Sequence, residues 1–241
     1  MTTVRRVGDA VVAKGVVEEA FLVGDVPGLL WTPEGSEGPR PLVLMGHGAT
    51  LDKRVGYLAS LARRLVRHHG ISAAAIDLPG HGERMVGGMP DVVSMWTKSE
   101  VTEQAVGEWQ AVLSALDAEG LGQAGLGYWG LSMGTLLGLP FVAAEPRIQV
   151  AVLGLAGVVG PPAARLTADA PRITCPVLFL QQWEDELFPR ESVLALFDLL
   201  GSLDKRLHVH PGLHSAVPLE EIDASESFLA LHLLATAAVA R

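Results

Sequence analysis

The chain has 241 residues, 49% of them apolar and 19% charged, with a mean hydropathy of +0.33. That composition excludes intrinsic disorder and leaves room for a sizeable buried core. A net charge of −9 argues against a general nucleic-acid or anionic-membrane surface, and no window approaches the ~18 uninterrupted apolar residues of a membrane span.

The N-terminal stretch MTTVRRVGDAVVAKG lacks the apolar core and cleavage site of a signal peptide. From there, VVEEAFLV (16–23) and PGLLWTP (27–33) read as a leading strand pair, turned at Gly24-Asp25. PLVLMG (41–46) is a short buried strand stopped by glycine. Asp52 is placed to cap a helix running to Gly70, in which Leu58, Leu61, Leu65 and Val66 recur at helical spacing. ISAAAID (71–77) is the next strand, followed by the irregular LPGHGERMVGGMP. A helix from about Glu100 to Glu119 ends at Gly120. The strand GLGYWG leads into the helix MGTLLGLPFVAA, despite Pro140. QVAVLGLAG (149–157) and CPVLFLQQ (175–182) are strands, 190–201 a helix, KRLHVHP (205–211) a strand, and roughly 219–240 a closing helix. The alternation predicts one α/β domain over residues 1–241, with about eight mostly parallel strands and five or six helices.

The motif with chemical content is Gly130-Leu131-Ser132-Met133-Gly134, between a strand and a helix. A serine hydroxyl needs a base to attack a carbonyl, and it must project from the backbone. A tight strand-to-helix turn projects it and sets the first free amides of the helix beside it, while the flanking glycines relieve the crowding. Such an elbow predicts the chain order Ser, acid, His. Glu184, Asp185 and Glu186 follow the strand 175–182, and His214 follows the strand 205–211. Loops past the C-terminal ends of parallel strands are where such sheets bind ligands. Spacing alone does not choose among the three acids.

The segments LMGHGAT (44–50), DLPGHGER (77–84), GLSMG (130–134), WEDELFP (183–189) and PGLHS (211–215) together resemble the α/β-hydrolases over essentially the whole chain, especially the compact serine esterase and dienelactone-hydrolase-like branch. The resemblance implies Asp185, through its D-x-x-x-P spacing to Pro189, as the acid and His214 as the base. It also implies an oxyanion hole formed by the backbone amides of Ala49 and Met133, with His47 shaping that loop. Gln182 stands where the family often has glycine, and Arg84 where it often has serine. Serine at 132 departs from the cysteine of dienelactone hydrolases proper and from the aspartate of dehalogenases and epoxide hydrolases. The interval from Ala156 to Pro176 is too short for a large cap domain.

The implied activity is hydrolysis of a carboxylic ester through an acyl-enzyme. Thioesterase, amidase, acyltransferase and perhydrolase activities share that machinery, and a non-catalytic binding module is a further alternative. The expected partner is a small ester or acyl compound, with no metal or organic cofactor, while oligomeric state stays open. His47, Met85, Met89, Met95, Trp96 and Trp183 are the candidate pocket residues, an adaptable apolar wall with its methionines between 82 and 99. His208 and His210 share a strand face, but the sequence shows no carboxylate or cysteine to complete a metal site, so they read as structural. Asp77 reads as a turn cap and Cys175 as packing. A single cysteine and the absence of a recognisable leader predict a cytoplasmic, reducing setting.

Overall fold

The computed structural model describes residues 3–85 and 98–239. Its centre is a nine-stranded sheet in the order β1-β2-β3-β5-β4-β6-β7-β8-β9. The strands are β1 (Val4–Ala13), β2 (Val16–Val23), β3 (Val26–Pro33), β4 (Arg40–Gly46), β5 (Ser72–Ile76), β6 (Leu121–Gly130), β7 (Ile148–Gly154), β8 (Val177–Gln182) and β9 (Lys205–His210). From β1 to β5 neighbours pair antiparallel; from β5 through β4 to β9 they pair parallel. The described helices are α1 (Gly56–His69), α2 (Ser99–Asp117), α3 (Met133–Ala144), α4 (Ala163–Asp169), α5 (Arg190–Leu199) and α6 (Glu220–Val239).

Central strands are covered on both faces, which is why they read as unbroken apolar runs instead of alternating ones. Leu42, Leu44, Tyr128, Leu153 and Phe179 point into one core with Trp109, Leu113 and Phe141. Val43, Met45, Trp129, Val152 and Leu180 point into the other with Leu58, Leu61, Leu65 and Leu229. The helix α3, beginning at the elbow, is buried along nearly its whole length, which explains its apolar sequence without a polar face.

Two readings change. The expected eight strands are nine, because β1 was not legible as a strand: almost all of it is exposed, Gly8 and Asp9 interrupt it, and its pairing with β2 shifts register between Val7 and Val11. With no buried face there is no alternation to read. Asp52 does not cap α1. The helix begins after Val55 without a side-chain cap, and Asp52 Oδ1 accepts the Arg54 amide at 2.6 Å instead.

After β4 the chain steps to one side to form β5; it returns to form β6 on the other side. This reversal leaves a crevice above the C-terminal ends of β4 and β6, where Gly46 and Gly130 lie in register. Among the described residues the connection 155–176 carries only α4 and one short 3-10 turn, Ala170–Arg172, so no cap domain is inserted there.

Candidate active site

Ser132 occupies the turn between β6 and α3 with φ 57° and ψ −120°, a conformation that a side-chain-bearing residue adopts only when its surroundings enforce it. Three contacts enforce it. The Ser132 amide donates to Gly154 O at 3.0 Å. Thr135 Oγ1 lies within hydrogen-bond distance of Gly130 O and Gly154 O and accepts the Gly154 amide at 2.9 Å. Tyr128, fully buried, donates its hydroxyl to Gly134 O at 2.7 Å. The two glycines of the motif are required by close approach: a Cβ on Gly130 would lie 2.7 Å from Gly134 O, and one on Gly134 2.4 Å from Gly46 O.

The next strand end but one carries the acids. Asp185 Oδ1 accepts the Leu187 and Phe188 amides at 2.8 and 2.9 Å, which fixes the carboxylate. Its Oδ2 lies 2.8 Å from His214 Nδ1, and His214 Nε2 lies 2.8 Å from Ser132 Oγ. Because Asp185 accepts at Nδ1, that nitrogen carries the proton and Nε2 faces the serine hydroxyl as acceptor. Burial raises the Asp185 pKa, but the hydrogen bonds from His214, Phe188 and Leu187 outweigh it and hold the group below the usual carboxylate range.

All three acids past β8 engage the loop that carries His214. Glu184 accepts the Gly212 amide and Glu186 accepts the His214 amide at 2.7 Å, so only Asp185 meets the imidazole. Gln182, the departure from the family pattern, reaches Leu213 O through Nε2 at 3.3 Å and ties down the same loop.

The second amide group lies past β4. Tyr57 Oη accepts the Gly48 amide at 2.9 Å, leaving Ala49 as the next N–H along the loop. Thr50 has φ 64°, so this loop, like the elbow, holds a strained residue. His47 lies behind it, fully buried: Nδ1 donates to Gly48 O at 2.8 Å and Nε2 accepts the Leu78 amide at 3.0 Å. Burial is the main cause that lowers its pKa to about 4, keeping the ring neutral. Asp77 braces the same loop from below. Its carboxylate takes the Lys53 ammonium at 2.7 Å and the Lys53 and Glu83 amides, whereas His214 pairs with Asp185.

A scan against protein-family models matches none, and a search of curated proteins finds no match. Solved structures do match. The chain is 42% identical to a cold-adapted esterase from an Arctic intertidal metagenomic library in its PEG-bound complex, with a TM-score of 0.85 over 95% of this chain and 99% of that one. The chain belongs to the α/β-hydrolase-fold esterases. The zinc-bound structure of the same Arctic esterase matches at 40% identity and a TM-score of 0.80, with the same coverage. An acetyl xylan esterase from a Paenibacillus species shares the fold at 18% identity and a TM-score of 0.71, over 96% of this chain and 88% of that one.

In this α/β-hydrolase-fold esterase a cavity of about 710 Å³ opens beside the Ser132–His214 pair, within the size range of small-molecule sites. Ala49, Leu131, Ser132 and His214 line it, and its apolar walls include Tyr57, Trp129, Leu187, Val217 and Ile222. Of the pocket residues expected from sequence, His47, Met85 and Trp183 do not line it. His47 is spent on the loop behind. Met85 borders a smaller, polar depression beside Lys53 and Asp77. Trp183 is half-exposed with the Arg190 guanidinium 3.5 Å above its ring. Met89, Met95 and Trp96 lie outside the described residues. The walls that sequence reasoning missed come partly from Tyr57 and Trp129, on α1 and β6, and partly from the segment after Glu186, the loop after His214 and the start of α6. For the last three segments the one legible signal was adjacency to the acid and the histidine.

Proposed function

We propose that the chain hydrolyses carboxylic esters through a serine-bound acyl intermediate, as one domain across residues 1–241. The observation that carries this reading is the continuous hydrogen-bonded line from Ser132 Oγ through His214 to Asp185, 2.8 Å at each step. His214 Nε2 takes the Ser132 proton as Oγ bonds to the ester carbonyl carbon. Asp185 holds the Nδ1–H tautomer and stabilises the imidazolium. The Ala49 and Met133 amides take the negative charge of the tetrahedral oxygen, Met133 being the first residue of α3, ahead of the intrahelical hydrogen-bond ladder. His214 then returns the proton to the departing alcohol as the carbon–oxygen bond breaks. Water, deprotonated by the same imidazole, attacks the acyl carbon, and Ser132 leaves with its proton restored. These steps call on no metal or organic cofactor.

The cavity supports this substrate class, since its apolar walls suit the alkyl part of a small ester. A cytoplasmic setting fits the single Cys175, whose thiol burial pushes up to about 11. Steady-state hydrolysis of 4-nitrophenyl esters of increasing acyl length, with matched thioesters, tests the reading. Each buried methylene contributes ~0.8 kcal/mol, so kcat/KM is expected to rise about fourfold per added carbon until the cavity is filled. His214→Ala should remove that turnover. A wild-type chain that turns over thioesters but not oxygen esters would overturn the ester assignment.

A further inference from the structure

On the sheet's far edge, His208 and His210 project to one face of β9, two residues apart. The first turn of α6 crosses that face and delivers the carboxylate they lacked in the sequence. Glu221 Oε1 lies 2.9 Å from His208 Nδ1 and within hydrogen-bond distance of His210 Nε2. Glu221 is buried, at 3% exposure, and among the described residues no lysine or arginine pairs with it. The ligand atoms of the three residues all lie within 4.8 Å of one another.

We propose that His208, His210 and Glu221 form a binding site for a divalent transition metal of the zinc type. Two imidazole nitrogens and one carboxylate oxygen match the preference of borderline cations, and three protein ligands leave a position for water. Metal–ligand bonds of about 2.0–2.2 Å in a tetrahedron put ligand atoms roughly 3.3–3.5 Å apart, so Glu221 Oε1 needs to part from each imidazole by no more than about 1 Å. His208 is partly exposed, which gives the ion a way in. Glu220 Oε1 sits 3.8 Å from His210 Nδ1, on the nitrogen left free by the ligand atom, where a carboxylate orients a metal-bound imidazole.

A second cluster, His68, His69 and Glu226, has similar ligand types. There the Arg64 guanidinium already holds the carboxylate at 2.6 Å, and a cation would have to displace it. Among the described residues the β9–α6 site has no such competitor.

The position gives the site a consequence. His210 and Glu221 are the two ends of the connection that carries His214, and Glu221 also lines the cavity beside Ser132. A bound ion joins those ends by coordinate bonds in place of hydrogen bonds. It therefore acts as a clamp on the His214 loop, not as a participant in ester cleavage.

The test uses the full chain stripped with a chelator and titrated with Zn²⁺ in the absence of any substrate, so its outcome is separate from that of the hydrolase assignment. Calorimetry is expected to show one saturable site per chain, and the thermal midpoint to rise with free Zn²⁺. His208→Gln/His210→Gln should weaken binding by at least about tenfold, while His68→Gln/His69→Gln should leave it intact. X-ray absorption on the zinc-loaded wild type, which needs no variant to fold, should show two imidazole nitrogens in the first shell. The proposal is overturned if the wild type shows no saturable binding, if the first double variant binds like wild type, or if the absorption spectrum lacks imidazole scattering.

Discussion

Replacing Asp185 by Asn keeps the side chain's shape and the two amide bonds at Oδ1, but offers His214 Nδ1 a neutral partner with a competing donor. The imidazole then loses both its tautomer control and the charge that stabilises its cation. Asp185→Asn is expected to lower kcat by about 10⁴ with the thermal midpoint nearly unchanged. Activity within tenfold of wild type would remove Asp185 from its assigned role. His47 acts through folding instead. It is neutral in the native state down to about pH 4 but has its ordinary value of 6.5 when unfolded. Between those values the unfolded chain binds more protons, so stability is complete above pH 6.5 and falls as pH drops toward 4. The loss is on the order of 3 kcal/mol from this residue. Urea midpoints across that window should show the decline, and His47→Gln should flatten it. An equal slope in the variant would mean that other groups set the acid limb. The residue types of the proposed machinery were legible because each sits one turn past a strand end. The choice of Asp185 over Glu184 and Glu186 came from resemblance, since all three point their oxygens at one loop and only tertiary geometry separates them.

At the level of elements, the elbow is a close approach of three backbones: the end of β6, the start of α3 and the end of β4. Gly134→Ala puts a Cβ 2.4 Å from Gly46 O, a backbone atom that cannot swing aside. The expected cost is about 1–3 kcal/mol of stability, together with loss of hydrolysis as Ser132 is displaced. Chemical denaturation and a rate assay check the pair of effects, and full activity at wild-type stability would contradict the close packing described. Strand, turn and helix were readable here because β6 is apolar on both faces and the glycines bracket the serine. β1 was not, since an edge strand exposed on both faces leaves no hydrophobic period. Asp52 has the residue type of a cap yet spends its oxygen on Arg54, so cap chemistry in the sequence was fulfilled locally, three residues before Val55, after which the helix begins.

Across the whole molecule, the reversal of strand order at β4 brings together segments separated by more than 80 residues. His47–Ala49, Ser132, Asp185 and His214 reach one crevice because β4, β6, β8 and β9 run parallel and end at the same rim. The order of strands and helices was written in the alternating pattern, and with it the rim. The cavity walls were not, because α6 and the loop after His214 meet the sheet only in three dimensions; the same is true of Glu221 beside His208 and His210. The central claim is that this convergence makes Ser132 nucleophilic, and covalent labelling tests it directly. Incubation of the folded chain with a fluorophosphonate, followed by peptide mass spectrometry, should place one adduct on Ser132 and none in His214→Ala over the same interval. A folded wild-type chain that stays unmodified, or that carries the adduct on another residue, would contradict it.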